Sequence, residues 1–146
     1  MKLKRAIISK LISLMLLFLF YACAVEVNTK VRLIDDNNPP TFKLVGTGVR
    51  PYFTVKGPYT LNDKNEKVQP LWAITTDDSS AHDWISNLPL ITYGKLPAHF
   101  KQIYPKNGDV PKLEEGMFYN VYVQVLSAEG GGTCIGIQHG KSILCQ

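Results

Sequence analysis

The chain has 146 residues, 45% of them hydrophobic, with 16 Lys plus Arg against 12 Asp plus Glu, a formal net charge of +4. That composition can fill the core of one ordinary domain without metals or dense disulfides. The basic surplus lies wholly in Lys2, Lys4, Arg5 and Lys10; from residue 23 onward 16 − 4 = 12 bases balance 12 acids, which excludes a charge footprint for nucleic acid.

Those four bases open the chain, and Leu11 to Phe20 follows, apolar except for Ser13. A basic start, a short apolar run and small residues at its end read as a secretory signal. A membrane-spanning helix would need about 20 apolar residues. The run here ends at Glu26, and nothing basic follows it closely enough to stop transfer. Phe20-Tyr21-Ala22-Cys23 resembles the bacterial lipoprotein signal, in which cleavage exposes a cysteine that carries lipid. Ala22 and Cys23 fit that pattern. Phe20 stands where Leu is usual, and Tyr21 where smaller residues are common. Plain cleavage after Ala22 or Ala24 is the alternative, and would leave a secreted or periplasmic protein. The expected division is a signal over 1–22 and one domain over 23–146. The cysteine count bears on the choice: Cys23, Cys134 and Cys145 are an odd number, and lipid on Cys23 leaves two to pair.

From Val25 to Leu33 apolar and polar residues alternate, the period of a half-buried strand. A strand starting so near Cys23 leaves little linker and puts the domain against the membrane. Asp35 to Pro40 is a break rich in Asx and proline. Thr41–Val45 and Tyr52–Val55 read as short strands, separated by Gly46, Gly48 and Pro51, with Gly57-Pro58 ending the second. Asn62 to Lys67 is a polar turn. Leu71 to Thr75 is a strand whose Trp72 is expected to anchor the core. Thr76 to Asn87 is irregular. Leu90–Tyr93 and Phe100–Tyr104 are further strands, and Met117 to Leu126 is the longest one. In that strand Tyr119, Val121, Val123 and Val125 share one face, while Phe118, Asn120, Tyr122 and Gln124 share the other. One of these faces must be core; the other is a candidate exposed aromatic patch. Gly130 to Gly132 reads as a loop before a final hairpin. No amphipathic helix is legible after Cys23. About seven to eight short strands spaced by Gly, Pro and Asx turns predict an all-β antiparallel sandwich.

Two constellations sharpen that expectation. Leu113 and Tyr119, six residues apart and followed by alternating valines, resemble the tyrosine corner of immunoglobulin-like and fibronectin type III domains. There a tyrosine near the start of strand F bonds back to upstream backbone, a structural role. In the final hairpin, a two-residue turn at His139-Gly140 would make paired residue numbers sum to 279. That sets Cys134 opposite Cys145, Ile135 opposite Leu144, Ile137 opposite Ser142 and Gln138 opposite Lys141. Directly opposed residues lie within the reach of a disulfide. The register makes 134/145 a hydrogen-bonded pair, a less usual site for a bridge, and a longer turn that shifts the pairing is the alternative.

The segments Pro39 to Phe42, Pro70 to Ile74, Ile91 to Pro97, Phe100 to Gln102 and Leu113 to Tyr119 together resemble a family of small bacterial lipoproteins. The resemblance spans most of Pro39 to Leu126. It implies export and a compact β domain, and brings no activity, cofactor or catalytic residue with it.

The search for chemistry finds one dense polar cluster, Asp77, Asp78, Ser79, Ser80, His82 and Asp83, next to Trp84. Hard cations take carboxylate oxygens, but the spacing matches no calcium loop, and a solvated acidic loop is the simpler reading. His82, His99 and His139 lack zinc spacing. Asp109, Glu114 and Glu115 read as solvated turn residues. No nucleophile elbow, phosphate loop or metalloprotease motif is present. The expectation is therefore a non-enzymatic protein with no cofactor or metal site. It would be tethered to the membrane through Cys23, in the outer membrane and facing the periplasm. Asp77, Asp78, His82, Asp83 and Trp84 form a candidate recognition loop for an envelope protein or glycan. A small metal-assisted envelope enzyme is the competing expectation.

Overall fold

The computed structural model describes residues 28–60, 68–77 and 84–145. The signal segment, Cys23, the polar turn at 61–67 and Asp78, His82 and Asp83 lie outside the described residues. Nine strands are described: β1 (Lys30–Asp35), β2 (Thr41–Val45), β3 (Val49–Tyr59), β4 (Pro70–Thr76), β5 (Ile91–Thr92), β6 (Phe100–Tyr104), β7 (Phe118–Leu126), β8 (Gly131–Gln138) and β9 (Lys141–Leu144). One 3-10 turn, Ile85–Asn87, precedes β5. The strands form two antiparallel sheets packed face to face, ordered β1-β2-β5 and β6-β4-β3-β7-β8-β9. The protein is an all-β sandwich, as the alternation and turn spacing predict.

The inner faces follow from the period-2 pattern. Phe53 and Val55 of β3, Trp72 and Ile74 of β4, Tyr119, Val121 and Val123 of β7, and Ile135 and Ile137 of β8 are buried. They meet Val31, Phe42, Leu44 and Ile91 of the smaller sheet. A run of rings crosses the layer: Phe42 to Phe53 at 5.7 Å, Phe53 to Trp72 at 6.0 Å and Trp72 to Tyr93 at 5.5 Å, the last two edge-to-face. Such pairs add about 0.5–1.5 kcal/mol each beyond the area they bury.

Three elements differ from the sequence pattern. β3 runs through Pro51 and Pro58, which read as strand ends. Register irregularities at Val49/Tyr52 and Lys56/Tyr59 absorb the missing donors, so the prolines sit at bulges. Gly131 and Gly132 belong to β8 rather than to a loop, paired with Val123 and Tyr122. Their partners supply the missing bulk. A Cβ on Gly132 would lie 2.7 Å from Tyr122 Cδ2, and one on Gly136 would lie 2.9 Å from Phe118 Cε1. Two aromatic rings of β7 thus lie across glycines of β8, the device that rescues glycine in a sheet. Finally, the strand expected over Leu90–Tyr93 shortens to Ile91–Thr92.

The final hairpin has the expected register: Ile135↔Leu144, Ile137↔Ser142 and Gln138↔Lys141. His139 and Gly140 both have positive φ, 53° and 72°, which a type I′ turn demands. Cys134 and Cys145 lie at disulfide distance, with Cα atoms 5.3 Å apart. The Cys145 N–H donates to the Cys134 carbonyl at 3.0 Å. The Glu115 carboxylate takes the backbone N–H of both turn residues, His139 and, at 3.1 Å, Gly140.

The long passage from β6 to β7 has little regular structure, and buried side chains hold it. Tyr93 donates to the Pro111 carbonyl at 2.8 Å. Gln102 donates to the Pro105 carbonyl at 2.8 Å and accepts from Trp72 Nε1 at 3.1 Å. The Tyr119 hydroxyl accepts from the Glu114 N–H at 2.7 Å, while Leu113 is buried beside it. Burial raises the Tyr93 phenol above its ordinary value, and the neighbouring Tyr119 adds to the rise. Burial also raises Tyr119, partly opposed by the Glu114 N–H.

Candidate functional site

The face of β7 opposite Tyr119 settles which side is core and which side is open. Asn120, Tyr122 and Gln124 are exposed, and Phe118 is half-buried. Tyr122 is 39% exposed, and its ring lies over Gly132. It stands opposite Thr54 on β3 and Gly132 on β8. Because Gly132 has no side chain, the ring lies down across β8 with its hydroxyl toward Gly130, a low ridge between two troughs.

One trough, of roughly 430 Å³, is lined by Arg50, Tyr52, Tyr122, Gln124, Leu126 and Gly130 among others. The other, of roughly 550 Å³, is lined by Lys56, Asn120, Tyr122, Gly132, Thr133 and Cys134 among others. Neither lining contains an Asp or Glu. Each carries one cation, Arg50 or Lys56, and one side-chain amide, Gln124 or Asn120. At the rim Tyr59 donates to Asn120 Oδ1 at 3.0 Å and stands 3.0 Å from Cys134 Sγ, so the amide is held from behind. Burial raises the Tyr59 phenol above its ordinary value.

Chemically, the groups on this face can hold a ligand by stacking, hydrogen bonds and ion pairs. A tyrosine ring offers a flat apolar face, amides offer paired donors and acceptors, and guanidinium or ammonium groups take carboxylates. The troughs are shallow and open, so they suit a ligand laid across the sheet rather than a small molecule swallowed by it.

Of the sequence-predicted recognition loop, Asp77 and Trp84 are described. Asp77 Oδ2 stands 4.0 Å from His99 Nδ1, and both side chains are well exposed. Trp84 is 54% exposed and precedes the 3-10 turn that buries Ile85. It bridges to Val49, whose partner on β7, Leu126, lines the Arg50 trough. Among the described residues, no three His, Cys, Asp or Glu side chains come together as a metal site. The Arg50 and Lys56 contributions had no signal in the sequence, because they depend on β3 becoming the neighbour of β7. Phe118 and Tyr122 did, through their shared face. Comparison with protein-family models, with curated proteins and with solved structures gives no match.

Proposed function

We propose that this chain is a lipid-anchored, non-enzymatic binding module of the bacterial envelope, and that the outer face of its larger sheet takes an anionic glycan strand. The observation that carries the reading is the acid-free pair of troughs flanking Tyr122, each with one cation and one amide. Sugar rings stack by their C–H faces on an aromatic ring, their hydroxyls pair with amides, and carboxylates or phosphates on the polymer pair with Arg50 and Lys56. The anchor rests on the basic start, the apolar run and Ala22-Cys23, and on the pairing that acylation leaves to Cys134 and Cys145. The site is the outer membrane, facing the periplasm.

Two features support an immunoglobulin or fibronectin type III kind of sandwich. The Tyr119 hydroxyl bonds backbone five residues upstream at the start of β7. The order β1-β2-β5 against β4-β3-β7-β8 fits strands A-B-E against C′-C-F-G, with β6 and β9 as added edges.

The anchor is tested by fractionating cells that express Cys23→Ser. The wild-type protein should pellet with membrane and label with palmitate, and the variant should do neither. A variant that still pellets contradicts lipid anchoring, and a wild-type protein recovered in the soluble fraction favours the secreted reading. The glycan is tested by co-sedimentation with insoluble cell-wall polymer. Retention that salt abolishes is expected; no retention at low salt contradicts the ligand class.

A further inference from the structure

The end of the sandwich where the described chain begins carries an apolar pair that none of the described elements covers. Asn28 lies against the β2–β3 turn, where a Cβ on Gly46 would stand 2.7 Å from the Asn28 carbonyl. The Thr29 N–H donates to Glu129 of the β7–β8 turn at 3.0 Å. At the same end the Ile85 N–H donates to the Gly48 carbonyl at 3.1 Å. Val49 pairs with both Trp84 and Leu126, so these two flank it at about 5 Å spacing each. Trp84 is 54% exposed and Leu126 is 56% exposed.

From Cys23 to Asn28 the chain has five residue steps, which reach at most about 17 Å fully extended. A domain held that closely must turn the end bearing Asn28 toward whatever holds Cys23. Tryptophan prefers the boundary between headgroups and acyl chains, where its ring is buried and its N–H stays wet. We propose that this end lies on the lipid surface, with Trp84 and Leu126 in the headgroup–acyl boundary beside the Cys23 anchor. This orientation rests on lipid anchoring. The mean sheet direction then stands away from the bilayer. The Tyr122 ring and the Lys56 trough are left open to the periplasm, while the Arg50 trough, which Leu126 also lines, opens at the lipid edge. Burial of the two side chains adds a second attachment to the acyl chains and restricts the domain to one pose.

The test uses the mature protein as cells expressing the whole chain produce it, mixed into vesicles of phosphatidylethanolamine and phosphatidylglycerol doped with acyl-brominated phosphatidylcholine. Bromine quenches only tryptophan that enters the bilayer boundary. The chain has two tryptophans, and Trp72 is fully buried in the core, so Trp84 alone can respond. Loss of up to about half of the emission is expected, with protection of that fraction from aqueous iodide. Leu126→Asp, which leaves Trp84 in place, should cut the quenching while the protein still sediments with vesicles. Sedimentation without bromolipid quenching overturns the orientation and leaves the anchor standing. Failure to sediment, with no palmitate on Cys23, overturns the anchor and the orientation together.

Discussion

Tyr119→Phe removes one oxygen and leaves the ring, so it isolates the bond that ties the upstream backbone to β7. In the wild type the Glu114 N–H reaches that oxygen at 2.7 Å, and the tyrosine itself is fully buried. A net hydrogen bond contributes about 0.5–1.5 kcal/mol, and a stranded donor costs about 1–3 kcal/mol. Glu114 is exposed, so water can partly replace the partner, and about 1–2 kcal/mol of destabilisation is expected. For a domain of this size that is roughly a 3–8 °C fall in Tm. Urea unfolding at neutral pH measures it, with an unchanged slope as the sign that only stability moved. A second arm uses alkali. Burial raises the folded phenols of Tyr119 and Tyr93, so the unfolded chain loses these protons first. Their contribution is complete below about pH 10, the unfolded value, and is lost as pH rises through the folded values. The wild type should lose up to roughly 1.4 kcal/mol per pH unit for each such phenol in that window. Tyr119→Phe should lose stability less steeply. An unchanged urea midpoint together with an unchanged alkaline slope would refute the role assigned to this hydroxyl.

Three further outcomes follow from the geometry. Glu115→Ala strips the carboxylate from the His139 and Gly140 N–H groups and should cost about 1–2 kcal/mol, with faster amide exchange confined to the β8–β9 hairpin; exchange spread evenly over the domain would count against it. Gly131→Ala puts a Cβ against the Thr29 carbonyl, which forces β1 off β8, and should cost about 1–3 kcal/mol in thermal unfolding; a neutral result would mean that the contact is not close. Cys134 and Cys145 should read as oxidised in a non-reducing intact mass. Reduction should cost about 2–3 kcal/mol at most, since the closed loop is short, and two free thiols in the untreated protein would end the assignment.

What could be read beforehand divides along physical lines. Local rules carried far: a two-residue turn fixed the whole β8–β9 register, and alternation put Tyr119, Val121 and Val123 on one face, which the structure shows is the inner one. Rules about single residues failed where a neighbour supplied what they lacked. Gly131 and Gly132 looked like a loop because glycine weakens a strand, yet β7 pairs with both, and Tyr122 covers Gly132. Pro51 and Pro58 looked like strand ends because they cannot donate, yet bulges in β3 remove the need. The candidate site is the same problem at larger scale. Tyr122 and Gln124 announced themselves by their period, but Arg50 and Lys56 reach them only through the β3–β7 pairing, which is non-local.

The Tyr122 ridge is the centre of the functional account, and its truncation is the most direct test. Full-length protein and Tyr122→Ala would be compared for co-sedimentation with purified insoluble cell-wall polymer across a salt series. Urea unfolding would establish that the variant remains folded despite uncovering Gly132. Loss of a stacked ring at about 1–2 kcal/mol predicts roughly 5- to 30-fold weaker retention, with the salt dependence preserved because Arg50 and Lys56 remain. Wild-type retention matched by a folded Tyr122→Ala would contradict the account.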